Sequence, residues 1–100
     1  MNAGPERIGF YRIEVAAQLV GMRPVQIRRC LQTGLVSSSA EEDGVPLLGE
    51  PELARLRKIR RLKTDVGLNR AGVEIVLRRL DEIEALRAEV GRIQRENHHR

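Results

Sequence analysis

Glycines at 21, 34 and 67 and prolines at 24 and 51 punctuate this chain so that only short helices fit before one long one. Phe10-Tyr11-Arg12-Ile13 reads as a short extended entry. Glu14 to Val20 follows as a short helix, with Val15, Ala16, Leu19 and Val20 spaced for one face. Gly21-Met22-Arg23 breaks it, and Pro24 suits the first turn of a second helix, where its missing N–H costs nothing. That helix runs to about Thr33, and Gly34 supplies a left-handed stop. Two short helices joined by a tight, glycine-containing turn form the helix-turn-helix pattern.

Ser37 to Gly49 is the least periodic stretch, with three serines, two glycines and Pro46, and reads as a loop or a small β-wing. Glu50-Pro51 opens a third helix whose inner stripe is Leu53, Leu56, Ile59, Leu62 and Val66. Gly67-Leu68-Asn69 is a second turn, with Asn69 placed as an N-cap. From Arg70 to about Glu96 a helical stripe returns: Val73, Val76, Leu80, Ile83, Leu86, Val90 and Ile93. Glu74–Arg78, Arg78–Glu82, Glu84–Arg87 and Arg92–Glu96 stand at helix-neighbour spacing on its flanks. The first part of this helix is expected to pack on the domain and the part beyond Leu80 to lead away from it. Nothing left in the chain covers Leu80, Ile83, Leu86, Val90 and Ile93, which points to self-association. The alternative is a helix folded back over its own core.

The fold class expected is therefore all-α with a small β-wing. Residues 1–9 form a loose tail, 10–80 a winged helix-turn-helix domain, and 81–100 a dimerising helix, read as an antiparallel coiled coil.

Composition narrows the function. The chain has 100 residues and a formal net charge of +4, a basic balance compatible with nucleic acid. Phe10 and Tyr11 are its only aromatics, which leaves no platform for stacking unpaired bases and argues against single-strand or RNA modules. One cysteine, Cys30, excludes an internal disulfide and reads as a small buried hydrophobe beside Ile27 and Leu31. The N-terminus has no apolar signal region and no stretch approaches a membrane span, so the expectation is a soluble cytoplasmic protein. No catalytic constellation is expected. The carboxylates are spread along helices, and His98 and His99 sit at a frayed terminus. No cofactor follows from these residues, and no cysteine cluster could hold a metal.

Two basic groups stand out. Arg55, Arg57, Lys58, Arg60, Arg61 and Lys63 crowd the third helix; they could track phosphates, though they wrap much of it and only part can face one ligand. On the second helix, Arg23, Gln26, Arg28 and Arg29 are the side chains available to a major groove. The wing speaks the other way. Glu41, Glu42, Asp43, Glu50 and Glu52 crowd it, and no Lys or Arg occurs between Arg29 and Arg55. Such a segment repels phosphates and suits a basic protein partner.

Tyr11-Arg12-Ile13, Val15-Ala16-Ala17, Gly21-Met22, Pro24, Ile27-Arg28 and Gly34-Leu35-Val36 resemble, in register, the opening of MerR-superfamily domains. The run from Leu53 to Leu62 is similar to the helix after their wing. Gly67-Leu68-Asn69-Arg70-Ala71-Gly72-Val73, with Val76-Leu77 and the stretch from Leu80 to Leu86, resembles two chaperone-linked branches: the MerR-class heat-shock repressors and the CbpM-type chaperone modulators. The resemblance implies a four-helix winged domain, a second helix that reads DNA and a dimerising C-terminal helix. It places Arg28 at the arginine of the recognition helix, flanked by Gln26 and Arg29; with Arg23, and with Arg55 and Lys58 from the basic run of the third helix, these are the candidate DNA-contacting residues. Arg29 and Cys30 stand where that family usually has paired aromatics, and Val45 to Gly49 replaces its arginine–aromatic pair in the wing.

Two functions follow, beside a third reading as a pure dimerisation adaptor with an unknown partner. The modulator branch implies binding to the J-domain of a DnaJ-like co-chaperone, whose basic helix would meet Glu41, Glu42 and Asp43. The repressor branch implies a dimer on a pseudo-palindromic operator in double-stranded DNA. The eroded wing and its acidic residues put the modulator first, with the DNA-binding regulator as the alternative.

Overall fold

The computed structural model describes residues 9–98, so most of the expected N-terminal tail, and His99, lie outside the described residues. Its elements are α1 (Ile13–Val20), α2 (Pro24–Thr33), β1 (Ala40–Glu42), β2 (Val45–Leu47), α3 (Glu50–Thr64) and α4 (Arg70–His98). They fall into two compact units, one ending at Gly67 and the other starting at Leu68. The fold is the expected one: mostly helical, with a small two-stranded wing and a long last helix.

In the first unit α1 packs against both α2 and α3. The face it buries is Ile13, Ala16, Ala17 and Val20, a stripe at i, i+3, i+4 and i+7. This corrects the expected face. Val15 and Leu19 are 44% and 47% exposed, because Ile13 is the first helical residue and not the end of an extended entry. Counting the stripe from Ile13 rotates it by one position. The turn into α2 needs Gly21, whose φ of 75° lies in the left-handed region and whose N–H donates to the Ala17 carbonyl. Arg23 N–H then donates to Gln26 Oε1 at 2.9 Å, closing the first turn of α2. At its far end Gly34, with φ 80°, stops the helix, and Val36 N–H reaches back to the Cys30 carbonyl at 3.3 Å.

The wing is an antiparallel hairpin pairing Ala40 with Leu47, Glu41 with Pro46 and Glu42 with Val45. Its two-residue turn, Asp43-Gly44, has φ of 52° and 79°. Positive φ at both turn positions matches the right-handed twist of the strands and is why Asp-Gly is favoured there. The base of the hairpin is anchored by a two-way backbone bridge: Tyr11 N–H to the Leu48 carbonyl at 2.9 Å, and Leu48 N–H to the Tyr11 carbonyl at 2.8 Å. The residues read as an extended entry thus become, in part, a third strand-like contact.

α3 buries Leu53, Leu56 and Ile59 completely. Leu62 is only half-buried, and Val66, 63% exposed, lies past the helix end at Thr64, so the expected stripe is two positions too long. In the second unit Asn69 caps α4 as expected, its Oδ1 accepting from Gly72 N–H at 2.9 Å. The buried positions of α4 are Val73 and Leu77, with Val76 half-buried, so its inner face is set by an i, i+4 pair and not by Val76 and Leu80.

Candidate nucleic-acid and partner interface

α2 separates its chemistry cleanly. Ile27 and Cys30 are buried, while Val25, Arg28, Arg29 and Gln32 are exposed at i, i+3, i+4 and i+7 on the opposite face. Arg23, also exposed, stands at the N-cap of the same helix. This face therefore carries two guanidinium groups, with a third at the N-cap end of the helix, a set that suits phosphate oxygens and the edges of guanine.

The residues expected here are not equivalent. Gln26 is half-buried, and its amide oxygen is held by the Arg23 N–H. Arg28 Nη2 donates to Glu14 Oε2 at 2.8 Å, an exposed ion pair that ties α2 to α1. Arg55 is half-buried on α3, and its Nε donates to the Leu35 carbonyl at 2.6 Å. That bond braces α3 against the segment that leaves α2, so Arg55 has a structural task whatever else it does. Lys58 is likewise half-buried on α3, whereas Arg60 and Arg61 are exposed. Arg60 lies along the α1–α2 turn: a Cβ at Gly21 would stand 3.8 Å from its Cδ. The structure thus brings Arg60, on the expected basic run but outside the residues chosen from it, beside the helix-turn-helix. No spacing rule within one helix could reveal it, nor the Glu14–Arg28 pair, because both join separate elements.

The wing carries fewer surface acids than its composition suggests. Glu52 is buried and takes two hydrogen bonds on Oε1, from Gly49 N–H at 2.6 Å and from the Ser39 hydroxyl at 3.1 Å. It caps α3 from inside. Glu41 and Asp43 are exposed and Glu42 is half-buried. Adjacent strand residues point to opposite faces, so Glu41 and Glu42 do not share one surface.

Along α4 every described residue from Arg78 onward is exposed except Gly91. Leu80, Ile83, Leu86, Val90 and Ile93 are between 36% and 65% exposed, and a shallow groove runs past Ile83, Leu86, Val90 and Gly91. Ion pairs line the flanks: Arg79 with Glu82 at 3.0 Å, Arg92 with Glu96 at 2.6 Å, and Arg92 with Glu89. Of the pairings expected from spacing, Arg92–Glu96 forms, while Glu82 is bound by Arg79. Among the described residues no cluster of three or more potential metal ligands occurs, and no helix is long and apolar enough to cross a membrane.

Comparison with known proteins gives two findings. The family model for MerR HTH family regulatory proteins matches residues 12–95. Over 78 residues the chain is 31% identical to a Streptomyces coelicolor protein named putative heat shock protein HspR, a match that takes in 78% of this chain and 52% of that protein. The chain thus spans about half the length of the curated relative it matches.

Proposed function

Because the chain belongs to the MerR helix-turn-helix family of regulatory proteins, we propose that it is a non-enzymatic regulator that binds double-stranded DNA as a dimer and serves the heat-shock response. The observation that carries this reading is the exposed face of α2, where Arg28 and Arg29 stand on the side opposite buried Ile27 and Cys30, with Arg23 exposed at the N-cap. The name of the Streptomyces coelicolor relative supports the heat-shock assignment. The order of the two readings is reversed from the one the sequence favours, partly because Glu52 leaves the surface and weakens the case for an acidic docking face.

Dimerisation would present two copies of α2 to the two halves of a pseudo-palindrome. The exposed apolar residues of α4 supply the surface for it, and covering them removes apolar area from water. In vitro selection from random duplexes, followed by fluorescence anisotropy, tests the proposal. A selected site should have two-fold related halves, and Arg28→Ala should weaken binding to it by about 1–3 kcal/mol. Sequence-blind binding that disappears at moderate salt would overturn it.

A second reading keeps one specific observation in its favour. The tip of the wing carries Glu41 and Asp43, both exposed, with no cation on either strand. On this reading the tip docks on the J-domain of a DnaJ-like co-chaperone. Replacing Glu41, Glu42 and Asp43 together by lysine separates the two. It should abolish J-domain binding measured by calorimetry, whereas on the DNA reading it should strengthen non-specific DNA binding and steepen its salt dependence.

A further inference from the structure

Val25 is the exposed apolar residue at the N-terminal end of α2, where side chains of a recognition helix meet base edges, and it is 50% exposed. Its neighbours on the helix surface, Arg28 and Arg29, are charged, so Val25 is not part of a larger apolar patch on α2. The polar residue next to it, Gln26, is half-buried and turned back onto the backbone, its side-chain oxygen accepting from the Arg23 N–H at 2.9 Å. On the exposed side of that first turn Val25 thus offers a second base-reading chemistry beside the guanidinium of Arg23, namely apolar contact. In the major groove the only apolar feature of a base pair is the thymine C5-methyl.

We infer that Val25 reads a thymine methyl, making it a specificity-determining residue of the DNA interface. The inference rests on the DNA-binding reading of α2. The arginines on either side of Val25 contribute affinity through phosphates and guanine. Val25 adds discrimination without charge, since its two methyl groups gain from a thymine and from no other base. Val25 is half exposed, and alanine, its replacement in the test, is favourable in a helix.

The test uses a duplex selected by the full chain and resynthesised with deoxyuridine in place of one thymine at a time. Deoxyuridine keeps the base pairing and every hydrogen-bonding edge, and lacks only the methyl. The native chain should lose about fourfold in affinity at one thymine in each half-site, the worth of one apolar carbon removed from water. The Val25→Ala chain, shown by circular dichroism to keep its helices, should bind the thymine and uracil duplexes equally at that position. Indifference of the native chain to every replacement overturns the inference, as does a methyl dependence that survives Val25→Ala. In both of those cases specific DNA binding itself stands. If selection yields no preferred duplex, the DNA reading fails and this inference falls with it.

Discussion

Glu14 and Glu52 are both carboxylates near the start of a helix, and their surroundings assign them different work. Glu52 is buried and satisfies the Gly49 N–H and the Ser39 hydroxyl at once. Truncation would strand the buried Gly49 N–H, which costs about 1–3 kcal/mol. Urea unfolding of Glu52→Ala should show a loss of that size, and Glu52→Gln a smaller one because the amide oxygen still accepts. Glu14 meets Arg28 in the open, with the two side chains 63% and 49% exposed. Water and salt screen such a pair, so Glu14→Gln should change stability by less than about 1 kcal/mol. Its effect belongs to binding. Removing a negative charge beside Arg28 should tighten non-specific DNA binding at low salt, read by anisotropy on a random duplex. Neither the Ser39 bond nor the Arg28 pair could be read from spacing along the chain, where Glu52 counts as one more acid in the wing.

At the scale of elements, the boundaries of α2 and the caps of α2 and α4 were legible because they rest on local backbone chemistry. Pro24, Gly34 and Asn69 act within one turn of where they stand. The hairpin was legible as a wing, and its register was available in Asp43-Gly44, a pair whose backbone preference fixes a two-residue turn. Gly44→Val would force a branched side chain to φ 79° and should cost about 1–2 kcal/mol. Thermal unfolding measures that loss, and faster amide exchange at Val45 and Leu47 should accompany it. The inner face of α1 was not legible to the same degree. Val15 and Leu19 are as apolar as the residues buried beside them, and only packing on α2 and α3 distinguishes the two sets.

For the whole molecule, charge and oligomeric state are the quantities at stake. The wing tip is acidic and the exposed faces of α2 and α3 are basic, so the net charge of +4 conceals a strong asymmetry. If the arginines of α2 and α3 meet phosphates, the logarithm of affinity should fall linearly with the logarithm of salt, by about 0.9 per contact. Arg60→Ala and Arg61→Ala should each flatten that slope by about one contact while leaving sequence preference unchanged. The apolar stripe of α4 makes a separate claim. Leu86, 65% exposed in the single chain, should lie in the dimer interface, and Leu86→Glu should yield monomers in sedimentation analysis. The melting temperature of the native chain should rise with protein concentration, and that of Leu86→Glu should not.

What the sequence determined by itself is the set of features that depend on near neighbours. These are the bounds of α2, the existence of the wing, the cap of α4, the stripe along its exposed length and the register that resembles the MerR family. What only the tertiary structure decided is which side of each short helix faces inward and which charged groups are spent on the fold. Arg55 is bound to a carbonyl 20 residues earlier, Glu52 to a hydroxyl 13 residues earlier and Arg28 to a carboxylate 14 residues earlier. Such partners are set by the path of the chain through space, and spacing along one helix carries no information about them.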